Sequence, residues 1–196
     1  MTTDIDRFRQ AVSHLHPNLT QDEWDYLCGG LVRLTLKPKE FFIQAGKQNH
    51  LLGFVASGLV RGYYLNHQGE EVTFYFAKEN DYATDYSSLL TQKPSRCYFQ
   101  CLEPTTLLTL SYQHIQQCYT THHGLERYGR LIAEETLKML NARVESFQFD
   151  QAEQRYLDFI QHSSDLFNRV SLSHLASYLG IERPSLSRIR KKITGL

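Results

Sequence analysis

The spacing of apolar residues changes character along the chain. Over the first thirty-five residues it is helical: Trp24, Leu27, Leu31 and Leu34 recur at three- and four-residue steps, predicting a helix Gln21–Leu34 capped by Asp22. From Lys37 to Leu110 it becomes a series of short β-type runs. Phe41–Ile43, Leu51–Ala56, Leu59–Leu65, Val72–Phe76, Cys97–Cys101 and Leu107–Leu110 are separated by turn residues such as Ala45-Gly46, Ser57-Gly58, His67-Gln68-Gly69 and Glu103-Pro104. Strands at about ten-residue intervals with turn chemistry between them indicate an antiparallel roll, barrel or sandwich.

A long helix follows from about His122 to Phe147, a stretch without proline. Its apolar residues form two stripes. Leu125, Tyr128, Ile132 and Met139 share one face; Leu137, Leu140, Val144 and Phe147 share another, turned by roughly a quarter to a third of a circle. Two stripes imply two partners, its own β-domain and a second helix from another subunit. A helix wedged between two domains of one chain is the alternative. A shorter helix, Gln151–Gln161, comes next, punctuated by Ser163-Ser164-Asp165.

The segment Ser171–Ile193 reads as a helix-turn-helix. Leu172, Leu175, Ala176 and Leu179 mark a first helix, and Gly180 stands where the sharp turn needs positive φ. In the second helix Leu186, Ile189 and Ile193 pack inward. Arg183, Ser185, Ser187, Arg188, Lys191 and Lys192 stay outside, and Pro184 sits in the first turn, where a missing N–H costs little. Such a face suits the major groove of double-stranded DNA: Arg can grip guanine O6 and N7, while Ser and Lys reach phosphates.

Composition narrows the possibilities. With 41% hydrophobic and 21% charged residues among 196, the chain is an ordinary globular protein. No apolar run is long enough to span a membrane, and MTTDIDRFRQ lacks the basic start and apolar run of a signal peptide, so the expected location is the cytoplasm. Net charge is zero, yet from Val170 onward Arg183, Arg188, Arg190, Lys191 and Lys192 face the single acid Glu182, the profile of a specific rather than indiscriminate DNA binder. Cys28, Cys97, Cys101 and Cys118 read as buried structural thiols, because no second pair stands at metal-ligand spacing. His50, His67, His114, His122 and His123 do not form one ligand set. Nucleophile elbow, phosphate loop and HExxH are all missing, so no catalytic residue, metal or cofactor is expected.

Taken in this order, the parts resemble the Crp/Fnr family of bacterial regulators over nearly the whole length. Ser57-Gly58-Leu59-Val60-Arg61, Gly69-Glu70-Glu71-Val72, Leu102-Glu103 and above all Ser177–Ile193 carry the resemblance. It implies an α+β protein: an N-terminal antiparallel, cyclic-nucleotide-binding-like β-roll sensor (1–121), a long dimerisation helix (122–149) and a helix-turn-helix DNA-binding domain (150–196). It also implies a homodimer on a two-fold symmetric operator, with Arg183, Pro184 and Arg188 facing base edges and RNA polymerase as a further candidate partner.

The chain departs from the family in several places. Pro184 replaces a side-chain acceptor, so the family's usual half-site is not assumed. The family's phosphate cassette pairs Gly-Glu with a later Arg-Ser; here Thr84-Asp85 and Ser95-Arg96 stand instead, and moving one residue along a strand turns Arg96 to the other face. Cyclic AMP is therefore disfavoured as effector, whose identity stays open. No N-terminal cysteine cluster supports an iron–sulfur sensor. The chain ends at Thr194-Gly195-Leu196, leaving little or no wing. An effector site is expected between roll and long helix, lined by Tyr82, Asp85, Tyr86, Ser95, Arg96, Arg127 and Leu131, unless Tyr63, Tyr75, Phe76 and Phe99 fill that space. A cyclic-nucleotide- or other small-ligand-binding regulatory module acting through protein contacts is the alternative function.

Overall fold

The computed structural model describes residues 3–194, so the end of the chain on which the wing expectation turns, Gly195-Leu196, lies outside the described residues. These fall into two compact units, one drawn from Met1–Gly62 and Phe76–Leu137, the other from Tyr63–Tyr75 and Lys138–Leu196.

In the first unit, α1 (Asp4–Leu15) and α2 (Gln21–Gly29) each begin with a capping box, Thr3 with Asp6 and Thr20 with Glu23. The cap of α2 is thus Thr20 rather than Asp22, which lies inside the helix. The expected helix to Leu34 stops at the Gly29-Gly30 pair. Val32–Leu36 is instead strand β1, paired antiparallel with β8 (Thr105–Ser111) from Val32↔Thr109 to Leu36↔Thr105. Pairing along that free edge overrides the helical spacing of Leu31 and Leu34.

The remaining strands are β2 (Phe41–Ile43), β3 (Leu51–Ser57), β4 (Val60–Leu65), β5 (Glu71–Ala77), β6 (Tyr82–Ala83) and β7 (Tyr98–Cys101). They form two four-stranded sheets, ordered β1-β8-β3-β6 and β2-β7-β4-β5. Gly58, at φ +100°, turns β3 into β4 beneath Pro104 and Thr105, where a Cβ would collide with backbone.

Alternation in β3 and β8 sends Leu52, Phe54, Ala56, Leu108 and Leu110 toward the helices. There they meet Phe8 and Val12, Trp24 and Leu27, Ile115 and Cys118 of α4 (Tyr112–Thr121), and Leu125 and Tyr128 of α5 (His123–Phe149). Helix α4, capped by Ser111, was not foreseen. An aromatic ladder runs through this core: Trp24 to Phe8 at 5.7 Å, Phe8 to Phe54 at 5.1 Å and Phe54 to Tyr82 at 5.6 Å.

In the second unit the C-terminal part of α5 leads to α6 (Ala152–His162), a 3-10 turn (Ser164–Leu166), α7 (Leu172–Leu179) and α8 (Arg183–Thr194). The far ends of β4 and β5, Tyr63–Tyr75, cluster with these helices. Leu137, Met139, Leu140, Val144 and Phe147 of α5 are 43–59% exposed. Met139, expected on the face against the β-domain, is therefore not part of that core.

All four cysteines are free. Cys101 and Cys118 are buried. Cys97, which precedes β7 instead of belonging to it, and Cys28 are only half-buried. Burial pushes the thiols of Cys28, Cys97 and Cys118 up to about 11, so they stay protonated. Among the described residues no helix is long and apolar enough to cross a membrane.

Candidate functional site

The hydroxyl of Ser171 accepts from His174 N at 3.1 Å and starts α7. Leu175, Ala176 and Leu179 are buried. Gly180 closes the helix at φ +67°, its N–H returning to Ala176 and Ser177 carbonyls. An added Cβ there would meet Phe147 Cε1 at 2.5 Å. Helix α8 is held by Leu186, only 1% exposed, with Ile189 and Ile193 half-buried beside it.

Of the expected DNA-facing residues, Arg183, Pro184, Ser187, Arg188, Lys191 and Lys192 are exposed and Ser185 is half-buried. Three are already engaged. Arg188 Nη2 donates to Ser185 Oγ at 3.1 Å, and Lys192 Nζ pairs with Glu153 Oε2 of α6 at 2.7 Å. The Lys192 pair is largely solvated and of little energetic weight, but it offsets the ammonium's charge toward a phosphate.

Behind the turn, two arginines take the last carbonyls of α7. Arg143 of α5 donates to Tyr178 O at 2.8 Å, and Arg155 of α6 donates to Leu179 O at 3.0 Å and to Asp150 O at 2.6 Å. Both guanidinium groups lie 4.9 Å from the Phe147 ring, and Arg143 lies 4.0 Å over Tyr178. Burial lowers the pKa of Arg143 from its usual value while Tyr178 opposes the shift. Cations at a helix C-terminus satisfy carbonyls that have no intrahelical partner. Phe147, expected in the outward stripe of α5, belongs to this cluster.

In the other unit, the loop where a phosphate cassette was sought is closed upon itself. Asp85 caps the short helix α3 (Tyr86–Thr91): Oδ1 accepts from Ser87 N at 3.1 Å and Ser88 N at 3.3 Å, and Oδ2 accepts from Ser95 Oγ at 2.7 Å. Thr84 Oγ1 accepts from Asn49 Nδ2 at 2.8 Å and donates to Leu51 O at 3.0 Å; Ser88 Oγ donates to Lys93 O at 2.6 Å. Thr84, Ser88 and Ser95 are all buried, while Arg96 is exposed.

Tyr82 and Tyr86 do face α5. Tyr82 Oη lies 2.5 Å from Tyr128 Oη. Burial above all, with Tyr128 adding, raises the Tyr82 pKa; burial raises that of Tyr86, against the opposing pull of Thr136. The helix residues are offset from expectation. Arg127 is exposed, and Tyr128 and Ile132 pack where Arg127 and Leu131 were sought. The signal was present, since Leu125, Tyr128 and Ile132 form the stripe that points at the β-domain. Phe76 and Phe99 are buried, whereas Tyr75 is half-exposed.

Residues 33–122 match the family model of the cyclic nucleotide-binding domain. No curated protein sequence matches the chain. Among solved structures it is similar to FixK2 from Bradyrhizobium japonicum, with a TM-score of 0.74, 14% identity, and 84% of this chain and 85% of that one covered. The c-di-GMP responsive global regulator CLP of Xanthomonas campestris gives 0.71 at 16% identity, covering 90% and 92%. A crp/fnr-family transcriptional regulator from Eubacterium rectale gives 0.71 at 16% identity, covering 93% and 88%. Residues 33–122 thus form a cyclic nucleotide-binding-type domain, and the chain as a whole has the fold of a Crp/Fnr-type regulator.

Proposed function

We propose that the chain is a sequence-specific DNA-binding transcription regulator, acting in the cytoplasm as a homodimer on a two-fold symmetric operator. Residues 150–196 supply the reader, 122–149 the dimer contact and 1–121 the sensor-type domain. One observation carries this reading: α8 buries Leu186 on one side and exposes Arg183, Ser187, Arg188 and Lys191 on the other, directly after a glycine-closed turn. A helix that is anchored by apolar residues and arginine-rich outside can enter a major groove and donate paired hydrogen bonds to guanine.

Electrophoretic mobility shift on genomic fragments, with salt titration, tests it. Discrete retention of a few fragments is expected, with affinity falling steeply as salt rises. Retention that is weak and the same for every fragment would sink the proposal.

For the effector, the closed loop argues against cyclic AMP. A cyclic phosphate would need the free amides at the start of α3, a nearby arginine and room for its oxygens. Those amides already donate to the chain's own anion, Asp85, and Arg96 faces solvent. Calorimetry with cyclic AMP and cyclic GMP, and with c-di-GMP because CLP responds to it, should give no binding tighter than about 10 μM, a free energy of roughly −7 kcal/mol. Tighter binding of either cyclic mononucleotide would overturn this part of the reading.

A further inference from the structure

Strand β5 is the outer strand of its sheet. Such an edge turns N–H and C=O groups away from the neighbouring strand. At Glu71 and Thr73 one side chain of α7 takes both: Ser177 Oγ accepts from Thr73 N at 2.8 Å and donates to Glu71 O at 3.0 Å. A serine hydroxyl has one proton to give and lone pairs to receive, so a single atom closes this part of the edge. Thr73 is 1% exposed, so water cannot readily replace that partner. One residue further along α7, Arg143 grips Tyr178 O at 2.8 Å and reaches Thr73 O at 3.5 Å while stacking on the Tyr178 ring. Helix α7 is thus held at two adjacent residues, by β5 and by α5.

We infer that Ser177 and Arg143 are positioning residues for DNA reading: they clasp α7 so that α8, which packs against it, is presented in one orientation. The inference rests on the DNA-binding proposal above. The clasp positions and does not mask, because none of its hydrogen bonds involves α8, and Arg183, Ser187 and Arg188 of α8 remain exposed. Neither residue lies on the helix that meets bases, so their loss acts on how well the reading face is oriented and leaves its charge unchanged.

The test uses the full chain, a duplex enriched from a random library by the wild type, and an unrelated duplex of equal length. Ser177→Ala should expose the Thr73 amide to faster hydrogen exchange. It should also lower the ratio of selected to unrelated affinity by about 3- to 10-fold, the range for one or two lost neutral hydrogen bonds. Affinity for unrelated DNA and its salt slope should not change, since no phosphate contact is lost. Ser177→Thr, which keeps the hydroxyl, should restore the ratio. Arg143→Lys, which keeps the charge but loses the planar stack on Tyr178, should lower it as well, and serves as the second variant if Ser177→Ala folds poorly. Unchanged Thr73 exchange, or an unchanged ratio in a wild type that does discriminate, overturns the clasp alone. A wild type blind to sequence overturns the DNA-reading proposal and the clasp together.

Discussion

Ser95 donates its hydroxyl hydrogen to Asp85 Oδ2 at 2.7 Å and receives Cys97 N–H at 3.0 Å, so the acid that begins α3 and the serine that ends the loop hold each other. Asp85 also caps two amides. Asp85→Ala removes the cap and leaves the buried Ser95 hydroxyl only Cys97 O, at 3.0 Å, in place of its carboxylate acceptor. Stability should fall by about 1–2 kcal/mol, read from the midpoint of urea unfolding. An unshifted midpoint would mean that the closed loop does not depend on this pair.

Gly180 satisfies two demands at once, a left-handed backbone and the close approach of Phe147. Gly180→Ala should cost about 1–2 kcal/mol in backbone conformation, plus whatever Phe147 loses by moving. The double variant with Phe147→Ala separates these costs: it should show coupling, because removing the ring relieves the contact but not the strain. Strict additivity in thermal unfolding would place the cost in the backbone alone.

The exposed apolar residues Leu137, Leu140 and Val144 of α5 are expected at the homodimer contact. Placing a carboxylate among them, as Leu140→Glu, would bury an unpaired charge in such an interface. Multi-angle light scattering should show a wild-type dimer and a variant shifted to monomer at micromolar concentration. A variant that stays dimeric would move the interface away from this stripe.

On α8, Arg188→Ala should cost roughly 1–3 kcal/mol on the selected duplex and relax preference at one base pair of each half-site. Lys191→Ala should weaken binding almost equally on all sequences and reduce the salt slope by about one phosphate contact. Selection from a random duplex library with each variant distinguishes the two patterns. An unaltered preference for the Arg188 variant would remove it from the base-reading set.

Glu23 joins the start of α2 to the start of α5. Its carboxylate accepts from Thr20 N at 2.9 Å and from Gly124 N at 2.8 Å. The backbone hydrogen bond from Thr20 is the main cause of a lowered pKa, helped by the Thr20 hydroxyl and Gly124 and opposed by burial. A carboxyl with a folded pKa below its unfolded one stabilises the fold above its ordinary value of 4.5. That contribution is lost as pH falls through the folded value. Thermal midpoints of the wild type and Glu23→Gln should therefore differ near neutrality and converge in acid below about pH 4.5. A gap that stays constant through that range would remove the ionised carboxylate as its cause.

The helix-turn-helix was legible in the sequence because every signal in it is local. The cap Ser171, the small Ala176, the turn at Gly180 and the inward Leu186 lie within sixteen residues of one another, and helical periodicity fixes which of them share a face. Ser95 and Arg96 do differ, one buried and the other exposed, but Arg96 stands in a bend before β7 and not in the strand whose register suggested the difference. Strand β1 was not legible, because Leu31 and Leu34 satisfy a helical period and only the free edge of β8 makes Val32–Leu36 extended. Of the helix positions expected at an effector site, Arg127 is exposed and Leu131 half-buried, while the Leu125–Tyr128–Ile132 stripe packs on the β-domain.

The sequence by itself determined the succession of β-type domain, long helix and helix-turn-helix, the basic outer face of α8 and the broken cassette pattern, since each depends on neighbours a few positions apart. Only the tertiary structure decided what those parts hold. Ser177 meets Thr73 across 104 positions, Arg143 meets Tyr178 across 35 and Asn49 meets Thr84 across 35. Such pairings have no period and no spacing rule. They arise where packing brings a side chain to a backbone group that must find a partner once water is excluded.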